Sequence, residues 1–155
     1  MADEKERSSR RRTVLTGKIH RATVTGADLD YVGSITIDIA LMEAADIVSG
    51  EQVDVVNVTN GERITTYAIP GARGEGEVVL NGAAAHRFTA GDLAIIMCYG
   101  TLHDAEARSF EPHVVFVDEH NHLLEQGTDP GMVPDGYGLK SSGIAVADVR
   151  SDLRA

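Results

Sequence analysis

The chain has 155 residues, 43% hydrophobic but only 5% aromatic, with no tryptophan, which suits one domain around a core of small aliphatic side chains. Its 24 acidic against 14 basic residues give a formal charge of −10, which argues against a nucleic-acid binder held by phosphate contacts. No apolar run is long enough for a bilayer and the N-terminus lacks a signal peptide's apolar stretch, so a soluble, cytoplasmic protein with no membrane partner is expected.

Residues 1–12, MADEKERSSRRR, are charged and poor in apolar side chains and read as a disordered arm. From Thr13 to Thr25 the pattern is strand-like, and a second short strand follows around Ser34–Ile37. Asp38 is the expected N-cap of a short helix, IALMEAADI, closed by Gly50. QVDVVNV and RITTYAI flank Asn60-Gly61, the strongest short hairpin signal in the chain. GARGEG is a loop whose spacing does not match a dinucleotide-binding fingerprint. EVVLNGAAAH predicts a strand, a tight turn and a helical turn at Ala83–Ala85. GDLAIIMCYG and PHVVFVD predict two further strands around a helical turn in HDAEARSF, with Cys98 a buried strand residue. Seven or so short strands with small helices describe an all-β protein, mainly β and barrel-like, rather than a βαβ sheet. The polar, Gly- and Pro-rich stretch over 119–155 is expected to be a flexible extension.

One cysteine leaves no internal disulfide and no multi-cysteine metal site. Asp118, Glu119, His120 and His122 lie in a predicted loop without ligand spacing, so no metal is expected. The Gly33-Ser34 step inside DYVGSITID is the unusual feature, because glycine weakens a strand and marks a bulge or a close approach. A hydroxyl beside a distorted amide can also attack the preceding carbonyl and convert the amide to an ester, given an oxyanion donor. A Gly-Ser pair alone does not distinguish these uses, and Ser34 is not in a G-x-S-x-G elbow.

GKIHRATVT, ADLDYVGS, NVTNGERITTYAI and NGAAAH occur in this order. Together they resemble the pyruvoyl-dependent aspartate 1-decarboxylases over Thr13 to Asp118. The resemblance implies a double-psi β-barrel over 13–118 that self-cleaves between Gly33 and Ser34. Ser34 would become an N-terminal pyruvoyl group, a covalent cofactor that forms a Schiff base with L-aspartate and takes up electrons as CO₂ leaves. The product would be β-alanine for pantothenate synthesis, and the enzyme a homotetramer with sites between subunits.

By the same resemblance Tyr67 matches the proton donor; a phenol is protonated at neutral pH and can act as a general acid. Thr66 matches a threonine that assists cleavage and contacts substrate, although adjacent strand residues point to opposite faces. Arg63 and Lys18 match the basic residues that grip the substrate's side-chain carboxylate. Asn81 with the backbone amides of Gly82, Ala83 and Ala84 matches an anion-holding turn, and His20 and Tyr31 match supporting residues. Two departures stand out: Val56 replaces a pocket tryptophan, and Asp30 replaces a histidine before the Tyr-x-Gly-Ser. Val56 motivates an alternative, the same chemistry on a close acidic analogue of aspartate. An uncleaved barrel acting as a binding module is the reading from a different class.

Overall fold

A computed structural model of the chain describes residues 4–131. The β-branched runs on either side of Asn60-Gly61 form β4 (Gln52–Asn57) and β5 (Arg63–Gly71), paired antiparallel from Val56↔Arg63 to Gln52↔Tyr67. Gly61 adopts φ +80°, the left-handed conformation that the turn needs and glycine adopts cheaply. The remaining strands are β1 (Arg11–Thr23), β2 (Gly26–Asp28), β3 (Ser34–Asp38), β6 (Val78–Asn81), β7 (Leu93–His103), β8 (His113–Val117) and β9 (Leu123–Gly127). Three short helices, α1 (Glu4–Ser9), α2 (Ile39–Ala44) and α3 (Asp104–Ala107), and a 3₁₀ turn over Gly82–Arg87 complete the described part. The fold is mainly β with short helices, in the order β2-β6-β3-β5-β4-β7-β1-β8-β9. Parallel pairs (β1/β8, β2/β6, β3/β5) are interspersed among antiparallel ones, the crossed connectivity expected of a double-psi β-barrel.

Period-2 alternation sorts side chains between an inner and an outer face. Ile19, Ile35, Ile37, Val53, Val55, Ala68 and Ile96 are at most 1% exposed and form the core, with Cys98 buried among them. Asp38 caps α2 by accepting the Ala40 N–H at 2.9 Å, as its position in the sequence predicts. Its carboxylate also accepts the N–H groups of Gly74 and Gly76, which ties the GARGEG loop to the start of α2.

The described residues nearest each end form secondary structure that their composition does not suggest. Residues 4–9 are helical and β1 begins at Arg11, both within the stretch expected to be an arm. Arg11 and Arg12 pair with His103 and Leu102 of β7, and the Arg12 guanidinium meets the buried Asp104 carboxylate. Asp104 also accepts from Arg108 at 2.7 Å, so charges that look solvated in the sequence close an ion-pair cluster. At the other end β9 pairs antiparallel with β8, so 123–127 belong to the sheet rather than to a loose extension. Its side chains are exposed or half-buried, and a strand that buries little leaves no alternation to read. The rest of the predicted extension, 132–155, lies outside the described residues. Among the described residues no helix is long and apolar enough to cross a membrane.

Candidate active site

The strand β3 begins at Ser34, and Gly33 is the last residue of the turn that leads into it. Ser34 is 1% exposed while Gly33 faces solvent, so the bond between them lies at the wall of the barrel. The Ser34 hydroxyl donates to the Val32 carbonyl at 3.2 Å and accepts from Asn81 Nδ2 at 3.1 Å. Asn81 reaches it because β3 and β6 run antiparallel with Ser34 directly opposite Asn81.

The next residue, Gly82, closes the arrangement. It adopts φ +68°, and a Cβ there would lie 2.7 Å from Gly33 Cα and 3.2 Å from the Tyr31 carbonyl oxygen. Only a residue without a side chain lets the 3₁₀ turn press against the Gly33 backbone. A cleft of about 330 Å³ opens in front, lined by Gly33, Asn81, Ala83, Ala84 and Arg87 and by the stretch Ile64, Thr65 and Thr66 of β5. The methyl-sized side chains of Ala83 and Ala84 keep the backbone of the turn accessible from it.

Lys18, His20, Arg63 and Tyr67 are elsewhere. Register places Lys18, Arg63 and Tyr67: Lys18 is opposite Met97, Met97 opposite Asp54, and Asp54 opposite Thr65, while His20 is paired with Phe116 of β8. Arg63, Thr65 and Tyr67 therefore share the outer face with Lys18, whereas Thr66 points inward with Val53 opposite it. On that outer face Arg63 Nη2 donates to Asp54 Oδ2 at 2.7 Å and to the Tyr99 hydroxyl at 3.3 Å. The Thr65 hydroxyl and Arg63 hold the Asp54 carboxyl below its usual range, against the opposing effect of burial. Burial lowers the Lys18 ammonium's pKa. His20 is pushed down to about 4, by burial first and then by Lys18 and Arg21, so its imidazole is neutral at pH 7. Neither His20 nitrogen has a hydrogen-bond partner, and the ring meets Phe116 edge-on at 5.7 Å. Tyr31, 52% exposed, and Tyr67, 37% exposed, both turn their rings to solvent.

The family model for aspartate decarboxylase matches residues 10–124, most of the chain. The chain belongs to the aspartate decarboxylase family. Membership implies decarboxylation of aspartate, a carboxy-lyase activity, in a family that uses a pyruvoyl group. The chain is also similar to the crystal structure of a computationally designed protein, msDPBB_sym2, at 17% identity and a TM-score of 0.36. That match covers 56% of this chain and 99% of the designed one.

The residues at the candidate cleavage bond fit a serine-derived group. Ser34 Oγ has a fixed donor in Asn81, and Gly82 leaves a cradle that any Cβ would fill. The two departures within the family motif separate spatially. Val56 lies on the outer face between Arg63 and Ile95, beside the proposed carboxylate grip and away from the cleft. Asp30 is exposed in the turn before β3, where its N–H is held by Asp28 Oδ1 at 3.0 Å.

A cleft residue, Arg87, and a neighbour of Asn81, Thr36, escape the sequence reading. Arg87 lines the cleft and pairs with Glu62 at 2.7 Å, and its carbonyl accepts from both Asn57 and Asn60 at 3.0 Å. Its only sequence signal is its place at the end of the NGAAAH turn. Thr36 accepts from Asn81 Nδ2 at 2.9 Å and is detectable only as the residue two beyond Ser34 on the same strand face. The acidic and imidazole cluster after β8 is a structural turn: Asp118 Oδ1 accepts the N–H groups of His120 and His122. Among the described residues no group of three or more His, Cys, Asp or Glu is arranged to hold a metal ion.

Proposed function

We propose that the chain is an aspartate 1-decarboxylase that generates its own pyruvoyl group from Ser34. The observation that carries this reading is the buried Ser34 hydroxyl, clamped by Asn81 beside a Gly33 whose backbone is braced by Gly82. Ser34 Oγ attacks the Gly33 carbonyl, forming the ester C–O bond as the C–N bond breaks, and the hydroxyl proton passes to the freed amine. Loss of the Ser34 Cα proton expels the Gly33 carboxylate, and hydrolysis of the resulting enamine releases ammonia and leaves the pyruvoyl. That group supplies an electron sink for loss of the substrate α-carboxylate.

The chain's own residues supply the rest. Arg63 and Lys18 hold the side-chain carboxylate of L-aspartate, Arg63 through N–H groups other than the two that Nη2 gives to Asp54 and Tyr99. Asn81 and the backbone amides of Gly82, Ala83 and Ala84 position the polar groups at the reacting end. Thr66 assists cleavage and contacts substrate, while His20 and Tyr31 shape the wall. Tyr67 supplies the proton that replaces the departing carboxyl on the substrate carbon. Tyr67, Arg63 and Lys18 are not among the residues that line the cleft, which favours a site completed by a second copy. A homotetramer in which the outer face of one copy covers the cleft of the next satisfies this geometry. The activity would supply β-alanine in the cytoplasm for pantothenate synthesis.

Intact-mass measurement of the denatured chain tests the reading. Two fragments meeting at 33/34 are expected, the larger with its serine converted to pyruvoyl, and Ser34→Ala should abolish both cleavage and decarboxylation. A single uncleaved chain after prolonged incubation overturns the reading and favours a binding module. Val56, in register with Arg63, supports a second reading in which the roomier site prefers a longer acidic analogue. Faster turnover of a one-carbon-longer substrate than of aspartate would establish it.

A further inference from the structure

Behind the Gly33–Ser34 bond runs a chain of hydrogen bonds that one amide joins. Asn81, 3% exposed, donates from the same Nδ2 to Ser34 Oγ at 3.1 Å and to Thr36 Oγ1 at 2.9 Å. Ser34 Oγ passes its own proton toward the Val32 carbonyl at 3.2 Å. Ser34 and Thr36 are two residues apart on β3, so their side chains leave the same face and a single carboxamide spans them. In the ladder Ser34 is opposite Asn81 and Thr36 opposite Val79, so the Asn81 side chain lies along the strand between the two hydroxyls.

The terminal torsion of asparagine is a broad two-fold rotor. An amide held by one hydroxyl can turn its oxygen toward Ser34, and that oxygen would then accept the Ser34 proton instead of donating to Oγ. Two acceptors, one for each N–H, fix the amide plane. We propose that Thr36 is a positioning residue for self-cleavage: its hydroxyl locks the Asn81 amide so that Nδ2 donates to Ser34 Oγ. This holds the serine in the rotamer from which it attacks the Gly33 carbonyl and leaves an Oγ lone pair directed away from the amide. The inference rests on the self-cleavage reading above. Thr36 takes no part in bond making, and the acyl shift remains as written, with the Oγ–C bond formed and the C–N bond broken.

The test follows the rate of cleavage in the full chain by intact mass, beside the thermal midpoint of the uncleaved form. Thr36→Val keeps the β-branched shape and removes the hydroxyl; Thr36→Ser keeps the hydroxyl and removes the methyl. Cleavage of Thr36→Val should slow about tenfold, the rate equivalent of one hydrogen bond. Thr36→Ser should cleave near the wild-type rate. The material accumulating in Thr36→Val should be intact amide, because the lost contact acts before the ester forms. Wild-type speed in Thr36→Val, equal slowing in Thr36→Ser, or accumulation of a hydroxylamine-sensitive ester would each overturn the inference. If Thr36→Val misfolds, Thr36→Ala against Thr36→Ser gives the same comparison. A wild-type chain that never cleaves overturns the self-cleavage reading itself, an outcome separate from a cleaving wild type with an equally fast Thr36→Val.

Discussion

Two glycines at the candidate cleavage bond have opposite structural requirements. Gly82, at φ +68° and pressed on Gly33, has no room for a side chain. Gly82→Ala should cost roughly 2–4 kcal/mol from the overlap and the left-handed backbone together, read as a lower denaturant midpoint. A Cβ at Gly33 would meet no atom within 4 Å, and the backbone there is not left-handed. Gly33→Ala should leave stability within about 0.5 kcal/mol, so any loss of cleavage in that variant belongs to the reaction and not to the fold. The sequence pointed to Gly33 as the unusual residue, yet the packing constraint falls on Gly82. These two residues are far apart in the chain, and no local pattern announces their contact.

Among the elements, the extended start of β1 depends on a charge cluster. Asp104 is held down to about 2, first by Arg108 and then by Arg12, which outweigh the opposing effect of burial. A carboxyl depressed in the folded state stabilises it fully above its unfolded pKa near 4, and that contribution disappears as pH falls toward 2. Thermal midpoints measured across pH 2–5 should therefore fall steeply on the acid side. Asp104→Asn should lower the midpoint at pH 7 and flatten that acid-side slope. An unchanged slope would assign the acid sensitivity to another carboxylate, of which Asp38 is the leading one. Burial pushes Asp38 up, but the N–H groups of Gly76, Ala40 and Gly74, with Arg73, hold it below the usual range. The hairpin, the α2 cap and the buried strand around Cys98 were readable because turn chemistry and alternation are local. The α1–β1 start and β9 were not, because polar strands are held by partners rather than by pattern.

For the whole molecule, the division of the candidate site between two faces has a direct consequence. Ser34, Asn81 and Thr66 are at or beside the cleft, while Lys18, Arg63 and Tyr67 share the outer face with exposed Tyr99 and half-buried Val56. If adjacent copies complete one site, Ser34→Ala and Arg63→Ala chains, each inactive alone, should regain activity when refolded together. Random mixing would bring an intact cleft to an intact outer face at roughly one site in four. Activity absent from the mixture, with mixed oligomers verified by mass, would place the whole site within one chain.

Sequence was enough for the all-β character, the hairpin, the helix cap and the residues of the family motif, because each is written in short-range periodicity or in residue identity. It also flagged that Thr66 and Tyr67 must face opposite ways, since strand geometry has a period of two. Which of the motif residues meet depends on the pairing of strands distant in the chain. Register put Asn81 against Ser34 and Thr36, brought Gly82 onto Gly33 and left Lys18 and Arg63 together on the outer face. Those outcomes depend on which strand pairs with which, and on a slip of a single residue in that pairing, which no short stretch of the chain encodes.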